Sequence, residues 1–434
     1  MDSKKLKKGN RQLDMLFCSD ITKNIESDFR NIGAGKWLIS EITINGNQYY
    51  LTDRARTSFR DLFQVIIESI EFANVTNNDV FRELRKIYAE FLGQSTKPTI
   101  EEMVERLHIS LDLLKKKLNF LIPVEGISIK EGCDFRIGEI SFQEQNSEFL
   151  EQFNLKEGFF KKSLFRNYEN HKYWAEVSAS GSRKYAEKQI VPKIEHHLSI
   201  FIIYLTACTP QYFTNTRIRM LLNNMEGYST RVQLSWEDGH PETISCERSL
   251  GMFSIVNIDE SMIIGLKNSY FHIFLPNIVE KQDKSEIEAA LCRSLYWFGE
   301  AYKEPVQGMK FLKLWSCIEC FFSIDREEIT SANSVGIATV LKTVDSISQH
   351  PNRKDTKYSD YERKAKKFYK LRSEITHSAL YSHIQDGDVE DLAEWVINVV
   401  YIMIYFVEEK LTKLHEVKIR IQKKATELTA LEVD

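Results

Sequence analysis

The sequence predicts an α+β N-terminal domain followed by an all-α helical bundle. Three observations carry this. Short strand-like runs alternate with helical ones as far as Pro276, every apolar run after that proline has helical spacing, and the polar segment EKQDKSE (280–286) separates the two textures. We place a boundary there, giving a mixed domain over 1–280 and a helical domain over 281–434.

The elements follow in chain order. KWLISEITINGNQYYLT (36–52) reads as two short strands around Asn45-Gly46, a dipeptide that accepts the positive φ of a tight hairpin turn. SFRDLFQVIIESIEFANV (58–75) and NDVFRELRKIYAEFL (78–92) have helical spacing. IEEMVERLHISLDLLKKKLNFLIPV (100–124) continues it through Met103, Leu107, Leu111 and Leu114. From Val124 the pattern shifts to the short strands GISIK and DFRIGEISF, and later YWAEVSAS. KYAEKQIVPKIEHHLSIFIIYLTA (184–207) is a strong helix, begun or interrupted at Pro192. Residues 228 to 276 return to strand-like runs such as RVQLSW and SYFHIFLP.

In the second half, runs 285–302, 308–323, 331–346 and 358–378 are helical, followed by a long helix from about residue 389. Asp388 suits the N-cap of that helix, with Asp391 at the third position. In the last stretch Leu414, Val417, Ile421, Leu428 and Leu431 share one face. That face fits packing within its own domain, and packing on a partner subunit is the alternative.

Composition narrows the function classes. Of 434 residues, 43% are hydrophobic and 28% charged, so the chain can bury a core without disulfide or metal staples. A formal net charge of -4 gives no global sign of nucleic-acid binding, and any such function must rest on local charge. MDSKKLKKGN lacks the apolar core of a signal peptide, and FLPNIV and SIFIIYL are too short to span a membrane. The seven cysteines, at 18, 133, 208, 246, 292, 317 and 320, are odd in number and scattered, which fits reduced thiols in a cytosolic protein. Cys317-x-x-Cys320 lies in an apolar helical run with no second pair at zinc spacing and reads as core.

Most candidate chemistry has a simpler reading. GAGKW, from Gly33, has Arg30 where a Walker motif needs glycine and Trp37 where it needs serine or threonine, so it is a turn. Asp386, Asp388, Glu390 and Asp391, after His383, lack calcium-loop spacing and fit helix capping. His196 and His197 are adjacent on a helix and point apart, a poor metal pair. The segment 353–372 differs: nine basic residues face three acids, a local excess of six positive charges. A solvated helix face explains such a run, and so does a phosphate-binding stripe, in which Arg363, Lys364, Lys366, Lys367 and Lys370 would hold RNA. Arg372 closes the stripe and His377 follows five residues later.

This arrangement of R-x-x-x-x-H late in a helical domain resembles the HEPN superfamily, in particular ApeA-like HEPN proteins. RSEITHSAL (372–380) is similar to the family's signature. LKLWSCIECFF (312–322) resembles the earlier helix, whose aromatic-x-x-x-acid pattern falls here on Trp315 and Glu319. LIPVEGISIK, RIGEISF and AEVSASGSRKYAEKQIVPKIEHHLSIF resemble regions that precede ApeA-like domains, with less specific matches. Ser373 stands where the family most often has asparagine, and Ser378 where its ApeA-like members commonly have glycine.

The resemblance implies a HEPN-like bundle and a metal-independent endoribonuclease, without cofactor, acting as a toxin-like effector of anti-phage defence by abortive infection. RNA, tRNA included, would be the substrate, two copies would pair, and a phage-derived trigger would act on the N-terminal domain. His377 would serve as general base or acid for attack of a ribose 2′-hydroxyl. Arg372 would stabilise the charged phosphate and keep His377 neutral, Ser373 would donate a hydrogen bond, and Glu319 would orient Arg372 or the histidine. A non-catalytic HEPN module that binds RNA or a partner protein is the alternative. A DNA-acting enzyme is the third reading, and it lacks a visible carboxylate cluster for metals. One geometric constraint stands apart from the resemblance. Five residues on a regular helix turn through about 500°, leaving Arg372 and His377 about 140° apart. Either the helix ends or bends near Thr376, or a second copy supplies the complementary groups.

Overall fold

The computed structural model describes residues 3–18, 25–27, 41–146, 162, 171–220, 230–237, 240–250, 254–323, 329–348, 356–378 and 384–433. By compactness the chain forms two units, residues 1–119 with 178–191, and residues 120–177 with 192–434.

The first unit opens with α1 (Ser3–Leu16), followed by the short strand β1 (Ile25–Glu26) and the hairpin β2 (Glu41–Ile44) and β3 (Asn47–Leu51). Asn45 and Gly46 make the expected turn with φ of 50° and 83°, and the antiparallel sheet runs β1-β3-β2. Helices α2 (Asp53–Ile67), α3 (Asn77–Gly93) and α4 (Ile100–Leu114) follow. Each begins at a threonine, Thr52, Thr76 or Thr99, whose hydroxyl accepts a backbone N–H of the first turn. Asp79 and Glu102 complete capping boxes on the last two. Their apolar faces close one core around Phe59, Leu62, Leu84, Tyr88, Met103 and Leu107.

The second unit holds a five-stranded sheet ordered β6-β7-β8-β4-β9, from β4 (Lys116–Glu125), β6 (Phe135–Ile137), β7 (Ile140–Glu144), β8 (Tyr173–Gly181) and β9 (Arg219–Met220). The first residues of β4 and the last of β8 belong to the other unit, as does the start of α5 (Arg183–Cys208), which contains Pro192. Strand β5 (Ile127–Ile129) pairs in parallel with β12 (Val256–Ile258), and β10 (Thr230–Glu237) pairs antiparallel with β11 (His240–Leu250). The spacing that extended a helix through 100–124 stops at Leu114. β4 starts at Lys116, beside β8 in the sheet, and β9 joins its far end at Val124 and Glu125.

After the one-turn α6 (Tyr212–Asn215) come α7 (Glu260–Lys267) and α8 (Tyr270–Glu280). SYFHIFLP, expected as a strand, is thus the start of a helix. Ser269 caps it by accepting the His272 N–H, and Phe271, Leu275 and Ile278 recur on one buried face. An apolar run this short does not separate the two periods by itself.

The rest is helical: α9 (Glu286–Lys303), α10 (Gln307–Phe322), α11 (Ile329–Ser348), α12 (Tyr358–Ser378), α13 (Asp386–Glu408) and α14 (Leu414–Val433). Helix α10 packs against α9, α11, α12 and α13, and α14 lies along α11. Val417, Ile421 and Leu428 are buried there while Leu431 is exposed, so the terminal helix packs mainly within its own unit. The N-cap of helix α13 is Gln385, three residues before the expected Asp388. The Asp388 carboxylate instead reaches back to the Gln385 N–H at 3.1 Å, the N3 role in a capping box. The expected long helix is two, broken where Lys410 takes a φ of 67°.

The division expected at residue 280 does not separate compact bodies, because groups from both sides share one interior. The buried Tyr302 hydroxyl takes the Ile218 N–H at 2.8 Å and lies 2.8 Å from Thr216 Oγ1, and Phe213 packs on Phe298 with ring centres 5.0 Å apart. Burial pushes the Tyr302 hydroxyl up to about 12, against the pull of these bonds.

Histidine 197 ties α5 to α8. Its Nδ1 lies 2.7 Å from the Lys193 carbonyl and its Nε2 3.0 Å from Glu280 Oε1, so both ring nitrogens are engaged. Gly138, at a φ of 54°, lets the β6–β7 turn pass close: a Cβ there would fall 2.7 Å from His197 Nε2. Burial raises the Glu280 carboxyl, but the His197 bond and charge, the Glu139 N–H and Lys193 outweigh it and hold the group below its ordinary value. A carboxyl so lowered contributes stability above its unfolded pKa and loses it as pH falls through the folded one. Glu280→Gln should therefore lower the urea midpoint near neutral pH, with the gap from wild type closing below about pH 4. Phe368→Ala should cost about 3–5 kcal/mol in urea unfolding, because its fully buried ring lies between Phe311 and Trp395.

Candidate active site on helix α12

Helix α12 is continuous from Tyr358 to Ser378 and carries both residues of the motif. Tyr361, Ala365, Phe368 and Ile375 form its buried face. Phe368 packs on Phe311 of α10 at 5.3 Å between ring centres and on Trp395 of α13 at 4.8 Å, which fixes the rotation of the helix. At 100° per residue, Arg372 lies about 40° from Phe368 and His377 about 180° from it. The helix does not end before Ser378, so one chain directs the arginine toward the bundle and the histidine toward solvent. His377 is exposed and Arg372 partly covered. They are not brought together.

Arg372 meets Glu319, the acid that the resemblance offered to either Arg372 or His377. Its Nη2 lies 3.2 Å from Glu319 Oε1 and 3.3 Å from Oε2, with side-chain exposures of 29% and 20%. Glu319 stands one turn beyond Trp315 on α10, and Trp315 packs edge-on against Tyr369 of α12 at 6.0 Å. The indole N–H of Trp315 is buried and has no partner among the described residues. A second guanidinium, that of Arg293 on α9, lies near the Cys320 thiol beside Glu319 and opposes the rise that burial gives it. No motif marks Arg293, because the pairing joins helices far apart in sequence.

The basic stripe divides. Arg363, Lys366 and Lys370 lie within about 40° of His377 around the helix, Ser373 lies about 40° away, and Lys367 flanks them at about 80°. Lys364 belongs to the packed side instead. Its ammonium sits 2.6 Å from Asp391 and 5.6 and 5.5 Å from the Phe368 and Trp395 ring centres. Three of the exposed cations have acidic neighbours on the same helix. Arg363 pairs with Asp360 at 2.5 Å, Lys366 with Glu362 at 2.6 Å, and Lys370 with Glu374 at 3.8 Å. Exposed pairs of this kind are weak and exchange readily for phosphate. Lys367 pairs with no carboxylate among the described residues. Arg353 and Lys354 lie outside the described residues.

The other candidates have structural partners. Asp388 caps α13, Glu390 accepts the Thr214 hydroxyl at 2.8 Å, and Asp391 holds Lys364, so these acids diverge. His196 lies 2.7 Å from the Pro192 carbonyl and 3.2 Å from that of Cys292, away from the partners of His197. Cys317 and Cys320 contact the carbonyls of Lys313 and Ser316 within α10, and burial pushes the Cys317 thiol well above its ordinary value. GAGKW and His383 fall outside the described residues. Among the described residues no group of three metal-ligating side chains converges, and no helix is long and apolar enough to cross a membrane.

Compared with protein-family models, with curated proteins and with solved structures, the chain matches none of them.

The Arg372–Glu319 pair is partly exposed and discounted accordingly. Removing either side chain should cost about 1 kcal/mol, and a double-mutant cycle in urea should return a coupling of about 0.5–1 kcal/mol.

Proposed function

We propose that the protein is a metal-independent endoribonuclease whose HEPN-like site is built on α12, with two copies pairing so that this helix faces its counterpart. The observation that carries the reading is the solvent face of α12, where His377 lines up with Arg363, Lys366 and Lys370. RNA would run along that face through its phosphates, and Lys367 would contribute the cation that needs no release from an acid. His377 would take the proton from a ribose 2′-hydroxyl as it attacks the adjacent phosphate. The departing 5′-oxygen would receive a proton in turn, leaving a 2′,3′-cyclic phosphate and a 5′-hydroxyl. Arg372 would come from the facing copy, because the regular helix keeps it about 140° from the histidine of its own chain. Glu319 would hold that arginine in place, and Ser373 would donate to the phosphate. A role as a toxin-like effector of anti-phage defence, triggered by a phage product at the N-terminal region, rests on the resemblance of RSEITHSAL and LKLWSCIECFF to ApeA-like HEPN proteins.

One observation favours a second reading. Arg372 is already engaged by Glu319, as expected of a non-catalytic module that binds RNA through the outer face alone. Incubating the purified protein with total tRNA and mRNA, with and without EDTA, separates the two. Cleavage should survive EDTA, leave 2′,3′-cyclic ends and fail at a 2′-deoxy position. His377→Ala should lower the rate by about 10²–10⁴-fold with RNA affinity nearly unchanged. Strict dependence on Mg²⁺ or cutting of all-deoxy substrate overturns the mechanism, and tight binding without cleavage favours the module. Lys366→Glu with Lys367→Glu should weaken RNA binding and flatten its salt dependence, measured by fluorescence anisotropy across a salt series.

A further inference from the structure

Helices α11, α13 and α14 enclose an open cleft of about 570 Å³ on the bundle, within the size range of small-molecule sites. It is lined by side chains of all three helices. Val340, Ile402, Phe406 and Ile421 line it with apolar surface and are themselves buried, while Ile347 and Tyr405 are large apolar residues exposed among its lining. None of the residues placed on α12 belongs to it. Isolated exposed apolar residues are ordinary, but here two of them line a concavity with an apolar floor.

The chemistry of the lining narrows the occupant. Of its four hydroxyls, all but that of Tyr401 are already committed. Thr339 donates to the Val335 carbonyl at 2.7 Å, Thr343 to the Thr339 carbonyl at 2.6 Å, and Tyr405 to Glu409 at 2.5 Å. A base or sugar would find few directional partners, so the gain left to a ligand is burial of apolar surface. The lip is basic. Arg420 pairs with Glu409 at 3.0 Å and Lys424 with Glu427 at 3.1 Å, whereas Lys423 pairs with none of the described carboxylates. One uncompensated positive charge at the edge of an apolar cleft matches a single negative charge on an apolar body.

We propose that this cleft binds a medium-chain fatty carboxylate, with the hydrocarbon chain over Val340, Ile402 and Phe406 and the carboxylate at Lys423. A singly charged head suits the Lys423 ammonium better than a dianionic phosphate, and the apolar floor suits a chain better than a nucleobase. The site is separate from α12, and the proposal does not depend on ribonuclease activity.

Calorimetric titration of the full chain tests it, using decanoate, decanol and adenosine monophosphate as probes at concentrations below micelle formation. Decanoate should bind saturably at one per chain, and decanol markedly more weakly. Lys423→Glu, at an exposed position, should weaken decanoate roughly five- to tenfold. Thr343→Trp should block the cleft and abolish the signal, and circular dichroism with the Lys423→Glu result guards against misfolding as the cause. Equal binding of decanol, or no effect of Lys423→Glu, overturns the role of the charge. Binding of adenosine monophosphate in preference to decanoate overturns the ligand class, and no saturable binding of decanoate overturns the site.

Discussion

The seating of Phe368 between Phe311 and Trp395 sets the rotation of α12, and the candidate site follows from that rotation. A helix has one free choice once its length is fixed, namely which face is buried. Here the aromatic contact makes it, and Tyr361, Ala365 and Ile375 agree. Arg372 and Lys364 then fall on the packed side, where Glu319 and Asp391 meet them. His377, Arg363, Lys366 and Lys370 fall on the outer side. The motif therefore describes two environments: a guanidinium held in a partly covered ion pair and an imidazole in solvent. Any chemistry that needs both must draw them from two helices.

Electrostatics on this helix works by local compensation. The stripe looks strongly basic along the sequence, but Asp360, Glu362 and Glu374 sit one turn from the cations they balance. Such exposed pairs cost little to break. Lys364 shows the opposite case. With a carboxylate and two aromatic rings around its ammonium, it is fixed to α13 and serves the packing of the bundle. The His197–Glu280 contact plays a similar part further up the chain, joining α5, α8 and the β6–β7 turn through one buried ring.

Much of the architecture was legible because it rests on local rules. The Asn45-Gly46 turn, the helical runs of the first unit and the runs that became α9 to α12 were all read from neighbours in sequence, although the capping threonines of the first unit were not. The resemblance left Glu319 a choice between Arg372 and His377, and the packing of α10 on α12 gave it Arg372. SYFHIFLP was misread because so short a run fits both periods, and Ser269 decided the matter by capping a helix. The strand at Lys116 was missed because its partners lie about 60 and 100 residues away in the sheet order. Arg293 left no trace in the sequence, since its contact with Cys320 exists only where α9 lies against α10.

By itself, then, the sequence determined the helical and strand segments that obey short-range periodicity and the 140° offset between Arg372 and His377, because these depend on backbone geometry over a few residues. Tertiary structure decided which side of α12 faces outward, which cations of the stripe are spent on packing, and that residues on both sides of 280 share an interior. Those outcomes depend on contacts between segments distant in the chain, where burial of aromatic surface outweighs local preference. No local rule reports which helix will lie beneath Phe368.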